Sequence, residues 1–464
     1  MQQENKMDTQ ASQPIPIEKG WPLLGILPKF LGGGDPFEYL KNIMLEKGDF
    51  VQLNFGPKPV YLVSHPNYLK RILMENYHNY RKPDMLYNVA REVAGNGLTT
   101  SSGEFWLRQR RMIQPFLHRK ALVDLFSEMK EAIAERLDDM AILAKNGTQV
   151  ELGDKIGEII MNVTVRTMFG KGTLLAEDVT KIGLRAARII KYMGETLYSS
   201  MVPKWFPIPG RGQFLDDFNA TRETVNQIIA KCRQEKETSA SLIQMLINAV
   251  DEESNEQMTE QQLFDEVITM FVAGYETTTI ALTWMGVVLN SYPEVLEKLQ
   301  AEIDQVLGGR SPSFEDVPRL TYTRQVFMEI LRMYTIAPLL PRALNQADHL
   351  GSYYLPADAL VLVFYHGVHH NPDVWNKPEV FDPERFTPEN MTGRHAFAYV
   401  PFSAGPRKCA GDEFALLEGP LVMAMMLQKY NIHVLPNQTF AAKIGASMRP
   451  AKDVKVIFSN RVAA

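Results

Sequence analysis

Cysteine is nearly absent: the 464 residues contain two, Cys232 and Cys409. Neither a disulfide framework nor a tetrahedral zinc site can be built from them, and a reducing, cytoplasmic setting is expected. No apolar run reaches the ~20 residues that span a bilayer. The opening M-Q-Q-E-N-K-M-D-T-Q-A-S-Q is polar, with neither a signal-peptide core nor a membrane anchor, so residues 1–20 are expected to form a mobile tail. Excess charge of one sign is also lacking: the net charge is -5 with 22% charged residues, which gives no reason to expect nucleic acid as a partner. Neither G-x-G-x-x-G nor G-x-x-x-x-G-K-S/T occurs, which removes nicotinamide, flavin and nucleotide sites. Any electrons used here must come from another protein. No linker or internal repeat is marked, and residues 21–464 read as one domain, expected to be monomeric.

Against that background Cys409 stands out. Residues 402–411 read F-S-A-G-P-R-K-C-A-G. A thiolate facing a metal needs positive compensation and backbone N–H donors, because an uncompensated charge out of water raises the pKa of the thiol. The loop has the parts for it. Gly405 and Gly411 allow close approach to a flat macrocycle, Arg407 supplies a fixed cation for a carboxylate of that macrocycle, and the apolar, helix-like E-F-A-L-L-E-G-P-L-V-M that follows puts free amides and a dipole near the sulfur. This reading makes Cys409 the axial ligand of a haem iron. Cys232, in the charged I-I-A-K-C-R-Q-E-K, reads as structural.

Three further constellations bear on the same chemistry. In W-L-R-Q-R-R, Trp106 and Arg110 are four apart and share a helical face. A capping box at Thr259 opens a proline-free run of ~33 residues, ~50 Å of helix, that ends at Tyr292 and Pro293. Inside it lies A-G-Y-E-T-T. Ala273, Gly274 and Thr277 fall on one face, where small side chains leave room for a hydroxyl to point in, and a threonine near a glycine can bond back to the chain and open a kink. E-I-L-R then sets Glu329 and Arg332 at i, i+3, and P-E-R-F brings Arg385, a carboxylate between two guanidiniums of the kind that fixes geometry. Elsewhere, helical periodicity from about Leu122 to Glu237 is broken by G-T-Q-V, G-K-G-T and V-P-K-W-F-P-I-P-G, while the stretch from Arg81 to Gly103 reads as loop. Strands are expected at F-V-Q-L-N-F and P-V-Y-L-V-S, and again at N-I-H-V-L and V-K-V-I-F, where the latter pair would complete the sheet.

The pattern F-x-x-G-x-R-x-C-x-G, filled at Phe402, Gly405, Arg407, Cys409 and Gly411, together with the order of the other motifs, resembles the cytochromes P450, the haem-thiolate monooxygenases, from about Trp21 to Phe458. The resemblance implies a mainly α fold with a small β region, haem b (iron protoporphyrin IX) between the long central helix and the cysteine loop, and insertion of one oxygen atom from O2 into a hydrophobic small molecule. It assigns Trp106, Arg110 and Arg342 to the haem propionates, Ala273 and Gly274 to the oxygen-binding groove, and Glu276 and Thr277 to proton handling. It makes Leu197, Tyr198, Met201, Val202, Trp205 and Phe206 contacts of a substrate lid. Microsomal relatives begin with a membrane anchor that this chain lacks, so a soluble bacterial-type member is expected. The electron donor is then a ferredoxin or flavodoxin with its reductase, docking on a basic patch of Arg108, Arg111, His118, Arg119, Lys120 and Lys408. A peroxide-driven peroxygenase and a non-enzymatic haem protein are the alternatives. Arg407, where short bacterial members often carry histidine, and P-E-R-F lean towards fatty acids, with terpenoids, steroids and polyketides open.

Overall fold

A computed structural model describes residues 13–22, 24–31, 35–55, 58–171, 176–196, 207–234, 241–443 and 447–461. The expected lid contacts from Leu197 to Phe206 lie outside the described residues. The chain folds as two compact units, each discontinuous in sequence: one gathers 1–83, 337–378 and 395–408, the other 84–336, 379–394 and 409–464. Because the chain passes back and forth between them, no linker composition marks a boundary.

The first unit is built on a six-stranded sheet. The strands Phe50–Phe55 and Lys58–Val63 pair antiparallel, the second pairs parallel with Leu360–Phe364, and that strand pairs antiparallel with Leu339–Leu344. Alternating apolar residues make this surface: Phe50, Tyr61, Val63, Val361 and Val363 join Leu69 and Leu73 in one buried cluster. Part of the expected mobile tail is ordered. Ile17–Glu18 adds a parallel edge strand against Gln52 and Leu53, and the Glu18 carboxylate accepts from Lys29 Nζ (3.1 Å) and the Tyr39 hydroxyl (3.0 Å), partners far enough along the chain to be invisible locally.

The second unit is helical. Its axis is the helix Glu260–Ser291, opened by the expected capping box, with Thr259 accepting from Gln262 N–H and Gln262 accepting from Thr259 N–H (2.8 Å), and stopped at Tyr292 before Pro293. Helix Leu152–Phe169, Thr321–Met333 and Asp412–Lys429 pack on it. Trp284, fully buried, donates its indole N–H to Met448 O (2.8 Å) and stacks on Tyr334 at 4.0 Å. Residues 84–94, expected as loop, form a helix: Val89 and Val93, four apart, are buried on one face, and Pro83 precedes its first turn. The strands Tyr430–Val434 and Lys455–Asn460 do not complete the first sheet. They pair with each other, and Lys455–Asn460 also pairs with Gln149–Glu151, because the intervening helices carry the chain into the second unit.

Candidate active site

Cys409 precedes the helix Asp412–Lys429 by three residues and is exposed, whereas Cys232 is buried. The N-terminal dipole and amides of that 18-residue helix are therefore near the sulfur, as a thiolate ligand requires. The Arg110 guanidinium lies close by: burial pulls its pKa below the usual range, while the charges of Cys409 and Asp412 push it back. Arg110 Nε donates to Gln114 Oε1 (2.7 Å), and Trp106, one turn earlier on the same helix, is buried. The sequence pair W-x-x-x-R and the cysteine thus meet in one unit although some 300 residues separate them in the chain.

In the long helix, residues before and after A-G-Y-E-T-T are buried, yet Ala273 and Thr277 are exposed at its middle. A Cβ added to Gly274 would meet no heavy atom within 4 Å, and the same holds for Gly411. These surfaces, together with the exposed sulfur, suit a flat group laid against the helix. The helix is unbroken here, and the Thr277 hydroxyl donates to Ala273 O (2.7 Å), the back-bond anticipated from the sequence. Glu276 points elsewhere. Its carboxylate accepts from Ser447 Oγ (2.8 Å), with Arg449 nearby, and desolvation raises its pKa. The structure therefore does not place the Glu276 carboxyl on the Ala273–Thr277 face.

The first unit carries Phe402, Gly405, Arg407 and Arg342. Gly405 has φ +70°, and a Cβ there would lie 2.0 Å from Leu73 O, so no other residue fits this turn. It opens a short 3-10 turn through Arg407, closed by Lys408 N–H donating to Gly405 O (3.0 Å). Phe402 and Arg407 are half-buried; Arg342, buried in the strand Leu339–Leu344, donates from Nη1 to Pro341 O (2.9 Å).

The expected ion cluster is assembled. Glu329 accepts from Arg332 at 2.7 and 2.8 Å, from Arg385 Nε at 3.3 Å and from Asp382 N–H at 3.0 Å. The expected basic patch is smaller than the sequence implied. Arg108 pairs with Glu256 (2.8 Å) and Arg111 with Asp251 and Glu253 (3.0 Å each), acids brought in from the turn before the long helix, while His118, Arg119, Lys120 and Lys408 of the expected set are exposed.

The cytochrome P450 family model matches residues 15–458. The chain is a cytochrome P450. This P450 is 31% identical over 448 residues to a cyclooctat-9-en-7-ol 5-monooxygenase of Streptomyces melanosporofaciens, covering 93% of this chain and 94% of the relative. It is 31% identical over 450 residues to a chloroplastic carotene epsilon-monooxygenase of Arabidopsis thaliana, covering 92% and 83%. Its fold matches the crystal structure of the cytochrome P450DA heme domain with a TM-score of 0.88 at 23% identity, covering 97% and 98%. Haem is the family's cofactor, and the exposed Cys409 at a helix N-terminus beside Arg110 is the chemistry that would hold it. No described helix of this P450 is long and apolar enough to cross a membrane.

Three groups escaped the sequence reading. Ser447 and Arg449 stand 171 and 173 residues beyond Glu276, with no local signal of contact. Glu418 is the third, and its signal was present: one acid inside the apolar run A-L-L-E-G-P-L-V-M.

Proposed function

We propose that this P450 is a cytoplasmic monooxygenase that uses O2 to hydroxylate or epoxidise an isoprenoid, a cyclic terpenoid or a carotenoid-like molecule, with electrons from a separate ferredoxin- or flavodoxin-type donor. The observation that carries the reaction type is the small, exposed Ala273–Thr277 face at the middle of a buried helix, in the same unit as an exposed cysteine at a helix N-terminus. The substrate class is supported by the two relatives, one named for cyclooctat-9-en-7-ol and one for carotene. This replaces the leaning towards fatty acids that Arg407 and P-E-R-F had given.

Haem bound through Cys409 supplies the activation of O2. The protein's own part is orientation, exclusion of water and proton handling. Trp106 and Arg110, one turn apart on one helix, would offer donors for a propionate; Arg342 and Arg407 take that role from the family resemblance alone, and Phe402, Gly405 and Gly411 would shape the cysteine loop. Ala273 and Gly274 keep side-chain bulk away from the reacting face. The Thr277 hydroxyl donates to Ala273 O, and breaking that one hydrogen bond, at a net cost of about 1 kcal/mol, frees it to turn its O–H towards the reacting face.

The test is spectroscopic. The reduced carbon monoxide complex is expected to show the strongly red-shifted Soret band of a thiolate ligand, lost in Cys409→Ser and kept in Cys232→Ser. A screen of cyclic terpenoids, carotenoids and fatty acids by substrate-induced spectral shift is expected to favour the first two. An unaltered Cys409→Ser spectrum removes the reading.

A further inference from the structure

Gly405 opens the turn ahead of Cys409, and nothing cushions it from its neighbour: a Cβ there would lie 2.0 Å from Leu73 O and 2.8 Å from Leu73 C. The cysteine loop therefore meets the segment Arg71–Glu75 backbone to backbone, so a shift in one is passed to the other. That segment is a single π-helical turn continuing the helix Pro66–Lys70, with Asn76 N–H donating five residues back to Arg71 O (2.9 Å). Such wide turns are rare and occur mostly at functional sites. Ile72 and Leu73 pin it from one side, buried in the same apolar cluster as Phe397 and Val400 from the stretch before the cysteine. A buried carboxylate pins it from the other. Asp348 accepts from Arg71 Nη2 (2.9 Å) and Nε (3.3 Å) where the turn begins and from Asn76 Nδ2 (2.8 Å) where it closes. The Tyr80 hydroxyl donates to the same carboxylate (2.9 Å), and Tyr80 pairs with Leu344 in the strand that carries Arg342. Burial opposes the charge on Asp348, but the Arg71, Asn76 and Tyr80 donors outweigh it and hold the carboxyl below its usual range. The loop has two further ties. Val400 N–H donates to His369 Nε2 (3.0 Å), and the Tyr365 and Ser403 hydroxyls share a hydrogen bond (2.8 Å) at a serine whose φ of +62° side-chain-bearing residues seldom adopt. All of these groups belong to the first unit.

We propose that Asp348 is a positioning residue for the Cys409 thiolate: through Arg71 and Asn76 it locks the π turn, and through the Leu73–Gly405 contact the locked turn holds the loop that presents the sulfur. Asp348 acts at a distance and touches neither cofactor nor substrate. Its effect is on order. A loop fixed in advance gives up little conformational freedom when its cysteine binds a metal, whereas a loosened one must be ordered at that moment and lets the sulfur go more readily. Outer partners of this kind orient a ligand that they never replace. The inference rests on the reading of Cys409 as the haem ligand.

The experiment uses the haem-loaded full chain. Asp348→Asn keeps the shape of the side chain and removes its charge. In that variant the red-shifted Soret band of the reduced carbon monoxide complex is expected to give way to the unshifted band of haem without thiolate about tenfold faster than in wild type, within the range for a lost outer partner of a metal ligand. Amide hydrogen exchange is expected to rise over residues 400–408 and to stay at the wild-type rate over residues 455–460, a strand of the second unit. Asp348→Glu, which restores the charge, is expected to recover part of both. Tyr80→Phe removes one donor and leaves the rest, so it is expected to move both readouts the same way by less, and it decides the matter if Asp348→Asn does not fold. A lower melting temperature with the band lifetime and the exchange of residues 400–408 both at wild-type values overturns the proposal, because Asp348 would then be structural only. A Cys409→Ser protein that keeps the red-shifted band overturns the ligand reading, and the proposal with it.

Discussion

Glu329 and Glu418 are the same residue type in the same unit, each in a helix and each almost fully withdrawn from water at 0% and 1% exposure. Glu329 is surrounded by donors: two guanidiniums and a backbone N–H. Neither oxygen of Glu418 has a hydrogen bond of good geometry; Thr278 lies beside it, and Phe327 crowds the next residue, Gly419. Desolvation accordingly pushes the Glu418 carboxyl up to about 8. Equal burial thus produces opposite devices. A carboxylate given two cations and directional donors clamps geometry, whereas one given an apolar cage stays protonated and neutral at neutral pH.

The largest effect is expected from breaking the satisfied side. Glu329→Gln leaves the guanidiniums of Arg332, fully buried, and Arg385 without their counter-charge, at a cost of about 3–5 kcal/mol. Urea denaturation measures it, and a loss under about 1 kcal/mol would show that the cluster is no clamp. The unsatisfied side is sharpened by pH. A carboxyl whose folded pKa is raised lets the folded state bind more protons than the unfolded one, so Glu418 lowers stability as pH rises from the ordinary carboxylate range to about 8, by at most about 1.4 kcal/mol per pH unit. Glu418→Gln is expected to flatten that decline and to be relatively more stable at pH 8 than at pH 5. Equal slopes of melting temperature against pH in variant and parent count against an isolated carboxyl. Glu266 contributes in the same sense: burial raises it to about 8 although Leu98 N–H donates to it at 2.9 Å, so Glu266→Gln is expected to remove a second part of the decline. The smallest effect belongs to an exposed pair outside the comparison. Glu256→Gln, which removes the counter-charge of Arg108 and leaves its hydrogen bond to Gln257 O (3.2 Å), is expected to change stability by less than about 1 kcal/mol by the same denaturation measurement. Its more informative readout is the rate of the first electron transfer, which should rise if uncovering the charge of Arg108 enlarges the basic patch; an unchanged rate places the donor elsewhere.

Much of this was legible because its signals are local. The capping box at Thr259 and the absence of proline up to Pro293 set the long helix, and the back-bond of Thr277 to Ala273 follows from helical spacing alone. The strands Phe50–Phe55 and Lys58–Val63 were visible as alternating apolar runs around a turn. The helix Asp84–Ala94 was hidden by its neighbours: Met85, Leu86 and Tyr87 stand in sequence, and only burial selects Val89 and Val93 as the inner face. The basic patch was overestimated because a run of arginines says nothing of the acids that reach it from Asp251 to Glu256. The direction of Glu276 was equally out of reach, since its partner Ser447 comes from a turn 171 residues away.

The sequence by itself determined which atoms are available: a single well-flanked thiol at Cys409, glycines at 405 and 411 in its loop, a small face at Ala273 and Thr277, and the Glu329, Arg332 and Arg385 triad. Those are matters of covalent geometry, helical period and residue chemistry over a few residues. Only the tertiary structure decided what charge each buried acid carries and where its proton can go. Glu329, Glu418 and Glu276 are identical side chains, and their different states come from donors, cages and clefts assembled by segments far apart in the chain, because solvation and electrostatics act through space and not along the backbone.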